Sequence, residues 1–80
     1  KGGQLIKIGD LFVYRKTIQY IAERIQEHFA SHATITVAEL RDSLNTSRRL
    51  AVPLMEYFDL NKYTIRDGDL RRPGPKLREL

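Results

Sequence analysis

Arg48 and Arg49 follow directly on Thr46-Ser47, at the head of the stretch TSRRLAVPLMEYFD, residues 46–59. Thr and Ser ahead of an apolar-periodic run are helix N-cap residues, so the guanidinium pair falls in the first turn of a helix. That turn already holds amides without intrahelical acceptors and the positive end of the macrodipole. Two guanidinium groups added there concentrate a site for phosphate. A second basic group, Arg66, Arg71 and Arg72, surrounds Asp67-Gly68-Asp69. Arg66 and Arg71 flank a turn from which both can reach the ligand held by Arg48, and Gly68 lets the backbone approach closely. Asp67 and Asp69 lower the net field of that tip, and a solvated basic hairpin is the alternative reading. The chemistry on offer is anion recognition.

Other chemistries find no residues to carry them. Ser43 and Ser47 have no histidine near them in the chain pattern, the carboxylates are scattered, and no glycine-rich phosphate loop is present, so neither an enzyme nor a cofactor site is expected. The absence of cysteine excludes a disulfide framework and a thiolate metal site. His28 and His32 are spaced to share a helix face, but they read as polar residues at a fraying helix end. No apolar run approaches the roughly 20 residues needed to span a bilayer, and no signal peptide is visible. Eighty residues make at most one small domain, and a net charge of +4 on it favours a polyanionic partner. Lys1-Gly2-Gly3 reads as the linker end of a piece from a larger protein.

The elements that position the arginines follow from periodicity. QLIKI and LFVY, residues 4–8 and 11–14, are strand-like and separated by Gly9-Asp10, which suggests a tight hairpin. Ile18, Ile21, Ala22, Ile25 and Phe29 form one apolar stripe on a helix from Arg15 to Ser31, with Lys16, Glu23, Arg24 and Glu27 on its solvated face. Thr36 and Glu39 make a capping box for a short helix over 37–44 that buries Val37, Leu40 and Leu44. Asn45 ends it in the left-handed region, and Thr46 or Ser47 caps a third helix reaching Leu60. YTIR and LRR around Asp67-Gly68 read as a second hairpin. Pro73 and Pro75 then argue against a regular ladder, so residues 73–80 are expected to be a tail.

This order is that of an α+β winged helix, with three helices, a small antiparallel sheet, and the second hairpin as the wing. Residues 1–4 are the linker and 5–72 the domain. The expected core is Ile18, Ile21, Ile25, Phe29, Leu40, Leu44, Leu54, Tyr57 and Phe58, in a monomer. Glu56 and Asp59 would face phosphates badly, which disfavours laying the third helix lengthwise in a nucleic-acid groove and points to an end-on contact. Pro53 removes a bond to the Arg49 carbonyl and should bend that helix, for packing or for function. Tyr14 and Tyr63 read as core or edge residues rather than base-stacking platforms.

The stretch ITVAELRDSLNTSRRLAVPLMEYFD, residues 35–59, resembles the last winged-helix domain of the bacterial selenocysteine-specific elongation factors, and the similarity extends from about Leu5 to Arg72. The shared pattern is T-S-R-basic, Ala51, Pro53-Leu54, Glu56-Tyr57 and Asp59. The resemblance implies a cytoplasmic module that binds the selenocysteine insertion hairpin of an mRNA and reaches the ribosome through its parent protein, away from membranes. It places the helix-start contacts on Arg48 and Arg49 and the wing contacts on Gly68, Asp69 and Arg71. Ser47, Arg66 and Arg72, which flank these positions in the sequence, complete the expected RNA-binding set. Lys62 stands where the family commonly has glycine, so Asn61 is expected to take the left-handed cap. Ile65 stands where relatives often carry a basic residue. Two other classes share the fold, a DNA-binding domain of a transcription regulator and a protein-interaction winged helix.

Overall fold

In the computed structural model, which describes residues 4–79, the chain runs β1 (Leu5–Ile8), β2 (Leu11–Tyr14), α1 (Arg15–Phe29), α2 (Val37–Leu44), α3 (Arg48–Leu60), β3 (Thr64–Asp67) and β4 (Leu70–Pro73). A 3-10 helix over Pro75–Glu79 follows. This is the α+β winged helix expected from the pattern, with β3–β4 as the wing. Most of the linker expected over residues 1–4 lies outside the described residues.

Each hairpin turns on a Gly-Asp pair. Ile8 pairs with Leu11 around Gly9-Asp10, and Asp67 pairs with Leu70 around Gly68-Asp69. The wing turn is therefore one residue later than the Asp67-Gly68 signal suggests. Gly68 has φ +66° and open space where a Cβ would stand, so backbone conformation, not crowding, selects glycine there. The two hairpins form separate two-stranded sheets instead of one. The wing gains a third partner where Ile35 and Arg71 exchange backbone hydrogen bonds of 2.9 Å each, which ties it to the segment entering α2.

The helix ends follow local chemistry. The Thr36 hydroxyl accepts the Glu39 amide at 3.1 Å, and the Glu39 carboxylate accepts the Thr36 amide at 2.9 Å, completing the capping box. Asn45 closes α2 at φ 53°, ψ 46°. After α3 the left-handed residue is Lys62 at φ 66°, whereas Asn61 stays at φ −94° and bonds the Tyr57 carbonyl through its side-chain amide at 2.9 Å. The expectation that Asn61 takes the left-handed cap is thus corrected: its amide side chain serves the helix end from an ordinary backbone conformation. Arg24 is also less solvated than its helix face implied, because its guanidinium reaches across to the Ser43 carbonyl at 3.3 Å.

The core gathers Ile8, Ile18, Ile21, Ala22, Ile25, Ile35, Leu40, Leu54, Met55, Phe58 and Leu77. Phe29, Leu44 and Tyr57 pack at its border. Burial pushes the Tyr57 phenol above its ordinary range, with nearby Tyr63 adding to the shift and Arg15 opposing it. The buried stripe of α3 is Ala51, Leu54, Met55 and Phe58, at i, i+3, i+4 and i+7. Leu54 is 2% exposed, so Leu54→Ala is expected to cost about 2 to 5 kcal/mol in denaturant unfolding. A loss below about 1 kcal/mol would mean that α3 presents another face to the core.

The segment from Pro73 is part of the fold. Pro73 ends β4 opposite Thr64, at the strand terminus where a missing N–H is tolerated. Beyond it, Leu77 is 3% exposed, and the Gln26 side-chain amide donates to the Leu77 carbonyl at 3.2 Å. The expected tail over 73–80 is therefore revised for residues 73–79: the prolines end the ladder, but the chain folds back and adds a core residue.

Candidate nucleic-acid interface

The start of α2, one side of α3 and the wing enclose a groove lined by Thr36, Val37, Ala38, Arg48, Val52, Glu56, Arg66, Asp69 and Arg71. Arg48 thus shares one surface with Arg66 and Arg71, whereas Arg72 is not among the residues that line it. Arg49 does not join them. It lines a separate cleft with Gly9, Asp10, Leu11, Leu50 and Pro53, because successive helix residues point about 100° apart. Pro53 packs toward the β1–β2 turn on that side, where a Cβ on Gly9 would sit 3.8 Å from the Pro53 Cβ.

The end of α3 that meets the groove is built to leave donors free. Ser47 occupies the N-cap position but makes no side-chain cap bond, unlike Thr36 on α2. Its carbonyl accepts the amides of Leu50 at 3.1 Å and Ala51 at 2.9 Å, so the amides of Arg48 and Arg49 are the ones left without helical acceptors. A phosphate brought to this turn meets amides, the macrodipole and the Arg48 guanidinium together.

The wing arginines differ from one another in ways that spacing alone does not reveal. Arg66 is exposed, and its Nε donates to the Gly68 carbonyl at 3.2 Å, folding the side chain back over the turn. Arg72 pairs with Asp67 at 3.0 Å, with both side chains more than half exposed, a contact of small energetic weight. Arg71 is buried. Its side chain is 5% exposed, and its Nη2 and Nε donate to Asp59 Oδ2 at 2.9 and 3.2 Å. Instead of standing free beside the turn, it forms part of the groove wall with its charge already matched. Asp59 likewise turns toward the wing, away from the solvent-facing role its helix position suggested.

Among the described residues, no carboxylate lies within ion-pair distance of Arg48, Arg49 or Arg66, which leaves these three as uncompensated cations near the groove and its neighbouring cleft. Glu56 and Asp69 set negative charge into the groove itself. A uniform polyanion surface is therefore not what the site offers. It offers the cations Arg48 and Arg66 together with the acceptors Glu56 and Asp69 on one groove.

Thr36, Val37, Ala38 and Val52 line the groove, although the sequence marks Thr36 only as a helix cap and Val37 only as a core residue, and gives no sign of Ala38 or Val52 as groove lining. The capping box marked where α2 starts, but only the Ile35–Arg71 bridge brings that start beside the wing. His28 and His32 behave as helix-end residues. Their rings stack at 4.2 Å, and His28 Nε2 lies 2.9 Å from the Thr34 carbonyl. Among the described residues no group of His, Asp and Glu is arranged to hold a metal. Tyr63 packs edge-on against Phe58 at 5.3 Å, whereas Tyr14 is exposed.

With this geometry, the chain matches the family model "Elongation factor SelB, winged helix" over residues 27–72. It is 37% identical over 71 residues to the selenocysteine-specific elongation factor of Desulfomicrobium baculatum, a match covering 88% of this chain and 11% of that protein. It is 39% identical over 67 residues to the corresponding factor of Haemophilus influenzae, covering 84% and 10%. The chain thus spans about a tenth of the length of these relatives. Among solved structures, the mRNA-binding domain of elongation factor SelB from E. coli, in complex with SECIS RNA, superposes with a TM-score of 0.82 at 27% identity. That match covers 88% of this chain and 59% of the other.

Proposed function

The chain belongs to the winged-helix family of elongation factor SelB, and from that membership we propose that it is an RNA-binding module for the selenocysteine insertion hairpin of an mRNA. In its parent protein it tethers the factor that carries GTP and selenocysteinyl-tRNA to the message at a UGA codon, and so brings that factor to the ribosome. The module itself binds and does no chemistry. The observation that carries this reading is the meeting of Arg48 and the wing in one groove, in a fold similar to an mRNA-binding domain solved with its RNA.

The groove suits an RNA hairpin better than a duplex read along its length. A-form RNA has a deep, narrow major groove that side chains cannot read, so sequence is taken from loop and bulged bases while phosphates fix the position. Arg48, the free amides beyond Ser47, and Arg49 around the helix hold the backbone. Arg66, Gly68, Asp69 and Arg72 approach the loop from the wing. Asp69 supplies an acceptor for a base N–H, which a phosphate-only site would have no use for. Arg71 supports this surface from within.

The test is a titration of the chain against the insertion hairpin, a loop-scrambled copy and a duplex DNA. The hairpin is expected to bind best, with log K falling against log salt at a slope of about −2 to −4, the value for three to five phosphate contacts. Equal binding of duplex DNA would instead favour a transcription-regulator role, and a flat salt dependence a protein partner.

The arginines are expected to separate holding from reading. Arg48→Ala should weaken the correct and the loop-substituted hairpin by similar factors, because a helix terminus favours any phosphate. Arg66→Ala should weaken the correct hairpin more, narrowing the gap by about 1 to 3 kcal/mol if a base contact is lost. The reverse ranking would make the helix end the reader and the wing the holder.

A further inference from the structure

Asp59, in the last turns of α3, holds both strands of the wing at once. Its Oδ2 accepts from Arg71 on β4 at 2.9 and 3.2 Å, and its Oδ1 accepts from the Thr64 hydroxyl on β3 at 2.6 Å. Both donors are buried, Thr64 to 1% and Arg71 to 4% exposure. From the other side, the backbone of Arg71 is bonded to Ile35, the residue just before the α2 cap. Arg71 is therefore the joint at which α3, the wing and the entry to α2 meet, and these three also line the groove.

A two-stranded ribbon has little stiffness of its own. In this wing Ile65, Arg66, Leu70 and Arg72 are all exposed, so the packing that sets its angle is concentrated at Thr64 and Arg71, one on each strand. We propose that Asp59 is a positioning residue for RNA recognition, acting through Arg71 and Thr64 to hold the wing where Arg66 and Asp69 face Arg48 across the groove. This rests on the reading of that groove as the RNA site. Asp59 touches no RNA in this arrangement: its oxygens are engaged with the wing, and a carboxylate repels phosphate.

The experiment compares the chain with Asp59→Asn, Arg71→Gln and the double variant, each titrated with the insertion hairpin and a loop-substituted hairpin. Binding is measured at a temperature where circular dichroism shows every variant fully folded. Each single variant is expected to weaken the correct hairpin by roughly 5- to 100-fold, the scale of a lost base contact, with much less effect on the substituted one. The double variant is expected to bind no worse than the weaker single one, because both remove the same support. Losses that multiply in the double variant would give Arg71 its own contact with RNA and overturn the proposal. So would a folded Asp59→Asn chain that binds and discriminates as the unaltered chain does, or one that weakens both hairpins equally. Should Asp59→Asn fail to fold, Thr64→Val removes one of the bonds and keeps the ion pair. It is expected to shift discrimination in the same direction, and unchanged discrimination would overturn the proposal.

If the unaltered chain binds neither hairpin, the RNA reading fails by itself. The positioning is then judged without RNA, by hydrogen exchange of the wing amides from Arg66 to Leu70. In Asp59→Asn or Thr64→Val these should exchange faster while the α1 amides do not. Parallel acceleration of both would reduce Asp59 to general stability.

Discussion

Asp59→Ala is expected to cost about 3 to 5 kcal/mol of folding stability, the scale for removing one partner of a buried ion pair. The loss is large because of what remains behind. The Arg71 side chain, 5% exposed, would keep its charge without a counterion, and the Thr64 hydroxyl at 1% exposure would lose its acceptor. Arg66 lies directly across the ladder from Arg71, and like charges in that relation repel once the Arg71 charge is no longer offset by Asp59. A domain of this size has a total stability of roughly 4 to 12 kcal/mol, so the variant should be substantially unfolded on warming. The contrast is Asp67→Ala, which breaks the Arg72 pair at 65% and 59% side-chain exposure and should cost no more than about 1 kcal/mol. Replacing both Asp59 and Arg71 by apolar residues of similar volume should recover most of the loss, since the penalty is an unpaired charge and not a missing shape. Urea midpoints of the four chains check this. Equal effects of Asp59→Ala and Asp67→Ala would mean that Arg71 finds water in the folded protein.

These two ion pairs mark where sequence reading succeeds and where it stops. The capping box at Thr36, the left-handed Asn45 and the stripe of α1 were legible because each is a local pattern with a local cause. The placement of Arg48 beside the wing was legible too, since the order of elements forces it. Arg71 and Arg72 are neighbours of identical chemistry, and nothing local tells them apart. The pleat sends one inward and the other outward, and α3 happens to present Asp59 to the inward one. Arg48 and Arg49 differ for the same kind of reason: helix geometry divides an apparent pair between two surfaces. Ile35 and Leu77 joined the core from segments without periodicity, where a single apolar residue gives no signal. Pro73 and Pro75 read correctly as the end of the ladder, but an ended ladder does not mean an ended fold.

Gly74→Ala is expected to destabilise the chain by about 3 to 5 kcal/mol, although it adds one methyl group at a position that looks like a linker. A Cβ on Gly74 would lie 2.2 Å from the Lys62 carbonyl oxygen and 2.9 Å from the Lys62 and Tyr63 carbonyl carbons. All three are backbone atoms, so no side chain can rotate away to make room. The approach is close because the chain docks there through the Gly74 amide on the Tyr63 carbonyl at 2.8 Å and the Lys76 amide on the Lys62 carbonyl at 3.0 Å. Moving Gly74 outward would break these bonds and withdraw Leu77, whose burial alone is worth about 2 kcal/mol or more. Lys62 cannot yield easily either, because it already sits in the left-handed region at φ 66° and closes α3. Leu77→Ala should reproduce the cavity part of the loss without the clash, at about 2 to 5 kcal/mol, and the double variant should lose less than the sum. Urea denaturation of the three variants distinguishes the causes. If Gly74→Ala were neutral while Leu77→Ala was costly, the backbone would have room to shift without undocking the 3-10 helix, and the close approach at Gly74 would not be what selects glycine.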